Sequence, residues 1–166
     1  MVEKKKKTHS THSSADPATQ YAMDVTAGKV LAGPDIRNAC SRHLRDLERG
    51  PARGLFWDVE AVNRVINFFA QVLKLNGGEH EGQPFILLPW QCFIVGSLFG
   101  WKSEDGTRRF RMSYIESGKG SGKSPLAGGV GLYLLMADKE PRAEVYAAAT
   151  KKDQAMILFR DAVTMV

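Results

Sequence analysis

Only two cysteines, Cys40 and Cys92, occur in 166 residues, and they stand far apart. That rules out a disulfide-stapled scaffold; both fall on apolar helix faces, where a thiol serves as a small core residue in a reducing compartment. No apolar run approaches the roughly 20 residues needed to cross a bilayer, and the lysine-rich start leads into no apolar h-region. The expectation is a cytoplasmic protein with no membrane segment. Of the four histidines, His9 and His12 have no cysteine or carboxylate cluster beside them and so make no metal ligand set. Acidic residues are outnumbered, 18 against 23 Lys and Arg, giving a net charge of +5. Lys4 to Lys7 carry four of those positive charges, so the balance permits a polyanionic partner without arguing for one. With 43% hydrophobic and 25% charged residues the chain has a globular composition, and its length suits one domain or part of a larger one.

The richest stretch is Ser117-Gly118-Lys119-Gly120-Ser121-Gly122-Lys123-Ser124. Phe110 to Glu116 before it alternates as a strand would, and Ser124 to Ala137 after it reads as a helix. Strand, glycine-rich loop, Lys-Ser and helix is the order of a phosphate-binding loop. Gly118, Gly120 and Gly122 let consecutive N–H groups turn inward, and the helix adds its unpaired N-terminal amides and positive dipole end. Lys123 would reach the β- and γ-phosphates of a nucleotide, and the Ser124 hydroxyl would hold Mg²⁺. The first glycine of the standard pattern is replaced by Ser117, and Pro125 falls in the first helical turn. A glycine-rich turn that merely starts a helix is the plainer alternative.

Residues 1–20 read as a polar, disordered tail. Tyr21 to Gly33 is short and mixed. Pro34 opens an amphipathic helix with Ile36, Ala39, Cys40, Leu44 and Leu47 on one side and Arg37, Arg42 and Arg45 on the other, ending at Gly50-Pro51. Arg42, His43 and Arg45 form either an anion site or a solvated face. Asp58 reads as an N-cap for a second amphipathic helix stopped by Gly77-Gly78. Pro89 opens a third, running to Gly100-Trp101, with Gln91 in its first turn. A glutamine amide carries a donor and an acceptor, which suits the N6 and N7 edge of adenine; Trp90 and Phe85 are core candidates that could also flank a base. Arg142 to Thr150 reads as another strand, followed by a final helix. Strand, helix, strand, helix implies a parallel sheet with crossover helices and a ligand at the strands' carboxyl ends.

From Tyr21 to Val166 the chain resembles the N-terminal part of the large terminase subunit of tailed bacteriophages, the ATPase that packages DNA. The pieces that carry the likeness, in order, are Tyr21-Ala22-Met23-Asp24-Val25, Cys40-x-Arg42-His43-Leu44, Phe85-x-Leu87-x-Pro89-Trp90-Gln91, the phosphate loop, and Ala148-Ala149-Thr150-x-x-Asp153-Gln154-Ala155. The resemblance implies an α/β fold of P-loop NTPase type, partial and truncated. It would comprise a tail over 1–20, a helical region over 21–84 and the first part of the ATPase domain over 85–166. It also implies Gln91 contacting adenine, Lys123 and Ser124 on phosphates and Mg²⁺, and Lys119 sensing the γ-phosphate. Thr150 to Gln154 would be a coupling segment. Partners by resemblance are double-stranded DNA, the small terminase subunit, the portal of the procapsid and further copies in a ring. Family members continue into an acidic Mg²⁺-binding strand, a catalytic glutamate and a nuclease domain. Nothing between Ser124 and Val166 reads as an apolar strand ending in Asp or Glu. The expectation is a fragment that binds ATP and hydrolyses it poorly alone; the alternative is a non-catalytic DNA- or protein-interaction module.

Overall fold

The computed structural model describes residues 15–166; Lys4 to Lys7, His9 and His12 lie outside them. Helix α1 (Pro17–Thr26) starts within the stretch expected to be tail. Asp16 caps it, its Oδ1 accepting the Ala18 and Thr19 amides at 3.0 Å each, and Pro17 occupies the first turn, where a missing N–H costs nothing. Helix α2 (Pro34–Arg49) begins at its proline as expected. Asp58 caps α3 (Val59–Val72) through a 2.9 Å bond to the Ala61 amide. Helix α4 runs Pro89–Gly100, α5 Lys123–Met136 and α6 Lys152–Thr164. Helix α3 ends before Gly77-Gly78 because the chain after Val72 turns extended and finds new partners. Lys74 donates to the Met165 carbonyl at 2.9 Å, and Leu75 to that of Gln83 at 2.8 Å.

The strands differ from expectation. Among the described residues the one sheet is antiparallel and two-stranded, β1 (Leu55–Trp57) against β2 (Trp101–Ser103), with Trp57 opposite Trp101. Phe110 to Glu116 and Arg142 to Thr150 join no ladder, so the expected parallel sheet is absent from the described residues. A strand needs neighbours for its N–H and C=O groups and a covered face for its alternating side chains. These segments have neither: Met112, Tyr114 and Tyr146 are 89%, 88% and 83% exposed.

The core is built between helices instead. Phe69, Leu73, Val95, Phe99, Leu126, Tyr133 and Met165 form one buried cluster drawn from α3, α4, α5 and the end of the chain, so it spans both sides of residue 84. Two glycines of α5 lie against other helices, Gly128 against α6 and Gly129 against α3. A Cβ at Gly129 would lie 2.3 Å from Phe69 Cε1, so only glycine lets α5 approach α3 this closely. Gly96 does the same where α4 meets Ala18 of α1. Tyr133 is 1% exposed, with its ring 4.7 Å from that of Phe99 and 5.4 Å from that of Phe68. Burial on this scale stabilises by about 1.5–3 kcal/mol for each large side chain.

A hydrogen-bonded chain ties α1 and α2 to the small sheet. Trp101 Nε1 donates to His43 Nδ1 at 3.1 Å, which leaves the proton on Nε2, 3.1 Å from Thr19 Oγ1. Thr19 Oγ1 in turn donates a hydrogen bond to Asp16 Oδ2 at 2.7 Å, and the same carboxylate oxygen accepts one from Trp57 Nε1 at 3.0 Å. His43 is buried, and that burial pushes its pKa down to about 4.

Candidate phosphate-binding loop

The loop from Ser117 to Ser124 leads directly into α5. Gly122 is the N-cap in the left-handed region (φ 79°, ψ 21°), and Gly120 also has positive φ (81°). L side chains rarely adopt that region, so the glycine spacing is a backbone requirement. The first helical bond runs from the Leu126 amide to the Gly122 carbonyl. That leaves the preceding amides unpaired at the positive end of a 14-residue helix. Pro125 has no N–H to lose there, which explains its tolerance.

Lys123 folds back over the loop, its Nζ donating to the Ser117 carbonyl at 2.6 Å and to that of Gly118 at 2.8 Å. The amine therefore faces no carboxylate but two neutral carbonyls, bonds a stronger anion can displace. Gly118, Lys119, Gly120 and Ser124 are exposed, while Ser121 and Gly122 are half-buried. The Ser117 and Ser121 hydroxyls are 2.5 Å apart across the turn, a bond that the loop motif alone did not foretell. The signal was present as the departure from glycine at Ser117.

Gln91 comes to this loop from α4. Its Oε1 accepts the Leu88 amide at 2.8 Å, closing the start of α4. Its Nε2 lies beside Gly122, where a Cβ would sit 3.6 Å away. A carbonyl oxygen has two lone pairs, so this cap leaves Oε1 a second acceptor site and Nε2 free to donate. Trp90 and Phe85 both pack with the core. Thr150 and Gln154 lie elsewhere, bonded to each other at 3.1 Å at the start of α6.

The segment entering the loop is held only at the end farther from it. Arg109 donates to Asp46 Oδ2 at 2.8 Å, and Arg53 pairs with Oδ1 of the same carboxylate. Burial pushes the Asp46 carboxyl up, but hydrogen bonds from Arg109 and Arg53 outweigh it and hold its pKa below the ordinary value. The Phe110 ring lies 4.9 Å from the Arg109 guanidinium and 5.4 Å from that of Arg42 on α2. Two open concavities of about 400 and 420 Å³ lie away from the loop. One sits on the face of α2 around Arg42 and Arg45, the other between Asn76 and Arg160. Among the described residues no helix is long and apolar enough to cross a membrane, and no group of three or more His, Cys, Asp or Glu is placed to hold a metal ion.

No curated protein and no solved structure matches the chain. Residues 89–166 match a family model, that of the terminase large subunit, ATPase domain. The match starts at Pro89, the first residue of α4, and so takes in Gln91, the loop and all of α5 and α6. Over those residues the chain is similar to the ATPase domain of terminase large subunits.

Proposed function

We propose that this chain binds ATP with Mg²⁺ through Ser117–Ser124 and is the nucleotide-binding part of a DNA-packaging motor of tailed bacteriophages. The observation that carries the reading is the left-handed Gly120–Gly122 turn at the start of α5, with the Lys123 amine lying over it and Gln91 Nε2 beside it. In this reading Lys123 leaves its two carbonyls for the β- and γ-phosphates. Gly118, Gly120, Ser121 and Gly122 supply backbone amides, Lys119 approaches the γ-phosphate, and Gln91 reads the adenine edge. The Ser124 hydroxyl fits a Mg²⁺ ligand: it is an oxygen donor, exposed, in the first turn of α5. Bound Mg²⁺ would supply charge neutralisation on the phosphate oxygens. Hydrolysis by these residues alone is slow in this reading, because phosphoryl transfer needs a carboxylate to orient water and another on the metal. Asp138, the first carboxylate after the loop, is paired with Arg108 at 2.9 Å.

Calorimetric titration of Mg²⁺·ATP tests the reading. Binding is expected for the native chain and lost in Lys123→Ala; equal affinity in that variant refutes it. Gln91→Glu keeps the acceptor that caps α4 and removes the donor, so it should erase the preference for ATP over GTP. Loss of both nucleotides in the same proportion would count against the adenine role.

A second reading, a DNA- or protein-interaction module without nucleotide, is favoured by one feature. Arg42, Arg45 and Arg49 share one exposed side of α2, and none has an ion-pair partner among the described residues. Under either reading double-stranded DNA is the partner for that side, with the small subunit, the portal and a homo-oligomeric ring belonging to the whole motor in the host cytoplasm.

A further inference from the structure

We propose that Ser117 is a positioning residue. With Ser121 it forms a hydroxyl clasp that keeps the loop in its receptive shape before any phosphate arrives. The inference rests on the nucleotide-binding reading of the loop and adds to it a residue that the glycine pattern would leave as a mere departure.

Ser117 holds the turn in two ways. Its carbonyl accepts the Lys123 amine at 2.6 Å, and its hydroxyl meets that of Ser121 at 2.5 Å. Between the two serines lie Gly118, Lys119 and Gly120, all exposed. A Cβ built at Gly118 or Gly120 would meet nothing within 4 Å, so no neighbouring element packs on this part of the backbone. Its shape therefore depends on bonds internal to the loop, and these are of two kinds. The Lys123 bonds to the Ser117 and Gly118 carbonyls must be given up if the amine is to meet a phosphate. The serine–serine bond spans the turn without using Lys123 and can persist through that change. A glycine at 117 would leave three unsupported residues to be ordered by the ligand, and that ordering entropy would be subtracted from affinity. Serine at 117 takes the ordering out of the binding step.

The test is a double-mutant cycle on the full chain with Ser117→Ala, Ser121→Ala and the double variant. It is read by affinity for Mg²⁺·ATP and for inorganic tripolyphosphate. Each single variant should weaken both ligands by about two- to tenfold, the worth of one neutral hydrogen bond. Because the two hydroxyls share that bond, the double variant should lose no more than either single one, and Ser117→Thr should restore affinity. Losses that multiply in the double variant would mean the hydroxyls act separately, and the clasp would be refuted. Amide hydrogen exchange without ligand gives a readout independent of nucleotide. Residues 118–121 should exchange faster in Ser117→Ala while α4 and α5 keep their protection. Unchanged exchange overturns the clasp even if ATP binds. A native chain whose loop loosens in Ser117→Ala but which binds no ATP overturns the nucleotide reading and leaves the clasp standing.

Discussion

His43 gives the sharpest quantitative test of how the helical half is held together. In the folded protein its pKa is about 4, depressed from 6.5 chiefly by burial and only partly restored by Asp16 and Asp46. Between those two values the unfolded chain takes up a proton that the folded chain refuses, so stability falls as pH drops through the window. Above pH 6.5 the histidine is neutral in both states and costs nothing. Below pH 4 both states are protonated and the loss is complete. The gap corresponds to on the order of 3 kcal/mol. Structure supplies the reason: Nδ1 accepts the Trp101 indole N–H, and a proton there would set two donors face to face. Carboxylates titrate in the same range, so the measurement must be a difference. His43→Gln keeps an acceptor and a donor but does not titrate. Urea unfolding of both proteins at steps from about pH 7 to about pH 4 should show the native chain losing on the order of 3 kcal/mol more than the variant. Parallel profiles would mean that His43 is solvated or protonated in the fold, and the network from Asp16 to Trp101 would need redrawing.

The glycines of α5 offer a paired test. Gly129→Ala places a methyl 2.3 Å from Phe69 Cε1. Overpacking of about 1–3 kcal/mol should outweigh the roughly 1 kcal/mol of helix propensity gained, whereas Gly131→Ala, 3.4 Å from Val145 Cγ1, should gain stability. Shifts of the same sign in thermal denaturation would refute the close α3–α5 approach. For the arginine side of α2, Arg42→Glu with Arg45→Glu should weaken binding to duplex DNA. It should also flatten the salt dependence by about one unit of slope for each phosphate that the protein no longer neutralises. An unchanged slope would remove that side as a DNA surface.

Much of the helical frame was legible because its signals are local. Pro34, Pro89 and Asp58 sit where helices start, and the loop's glycines announce a turn whatever surrounds it. Helix α1 was missed because Asp16-Pro17, a start signal, sits beside a Lys, Thr and Ser tract that reads as tail. The short β1 and β2 were missed because three-residue strands carry no periodicity; they pair through Trp57 and Trp101, whose indoles converge on His43 and Asp16. The strands expected at Phe110–Glu116 and Arg142–Thr150 fail for the opposite reason. Alternation is real in the first of them, but pairing is a property of neighbours that a local pattern cannot supply. Gln91 was legible by type and place. Its use of Oε1 to cap α4 was not, since that depends on where the Leu88 amide points.

The position of the loop follows from helix packing. On its C-terminal side α5 is wedged against α3 at Gly129 and locked by Tyr133 between Phe68 and Phe99. Phe99 belongs to α4, the helix that carries Gln91, so the Phe99–Tyr133 contact links that helix to α5. On the N-terminal side the nearest firm anchor is Arg109 with Phe110, fixed to α2 through Asp46 and Arg42. The cradle is thus held rigidly from behind and loosely from in front, which is where an internal clasp between Ser117 and Ser121 has most effect. It follows that Gly129→Ala, far from any phosphate, should weaken nucleotide binding along with stability. It moves the post that carries the loop, whereas Gly131→Ala should leave affinity unchanged. Unaltered affinity in both variants would mean that the front anchor positions the loop.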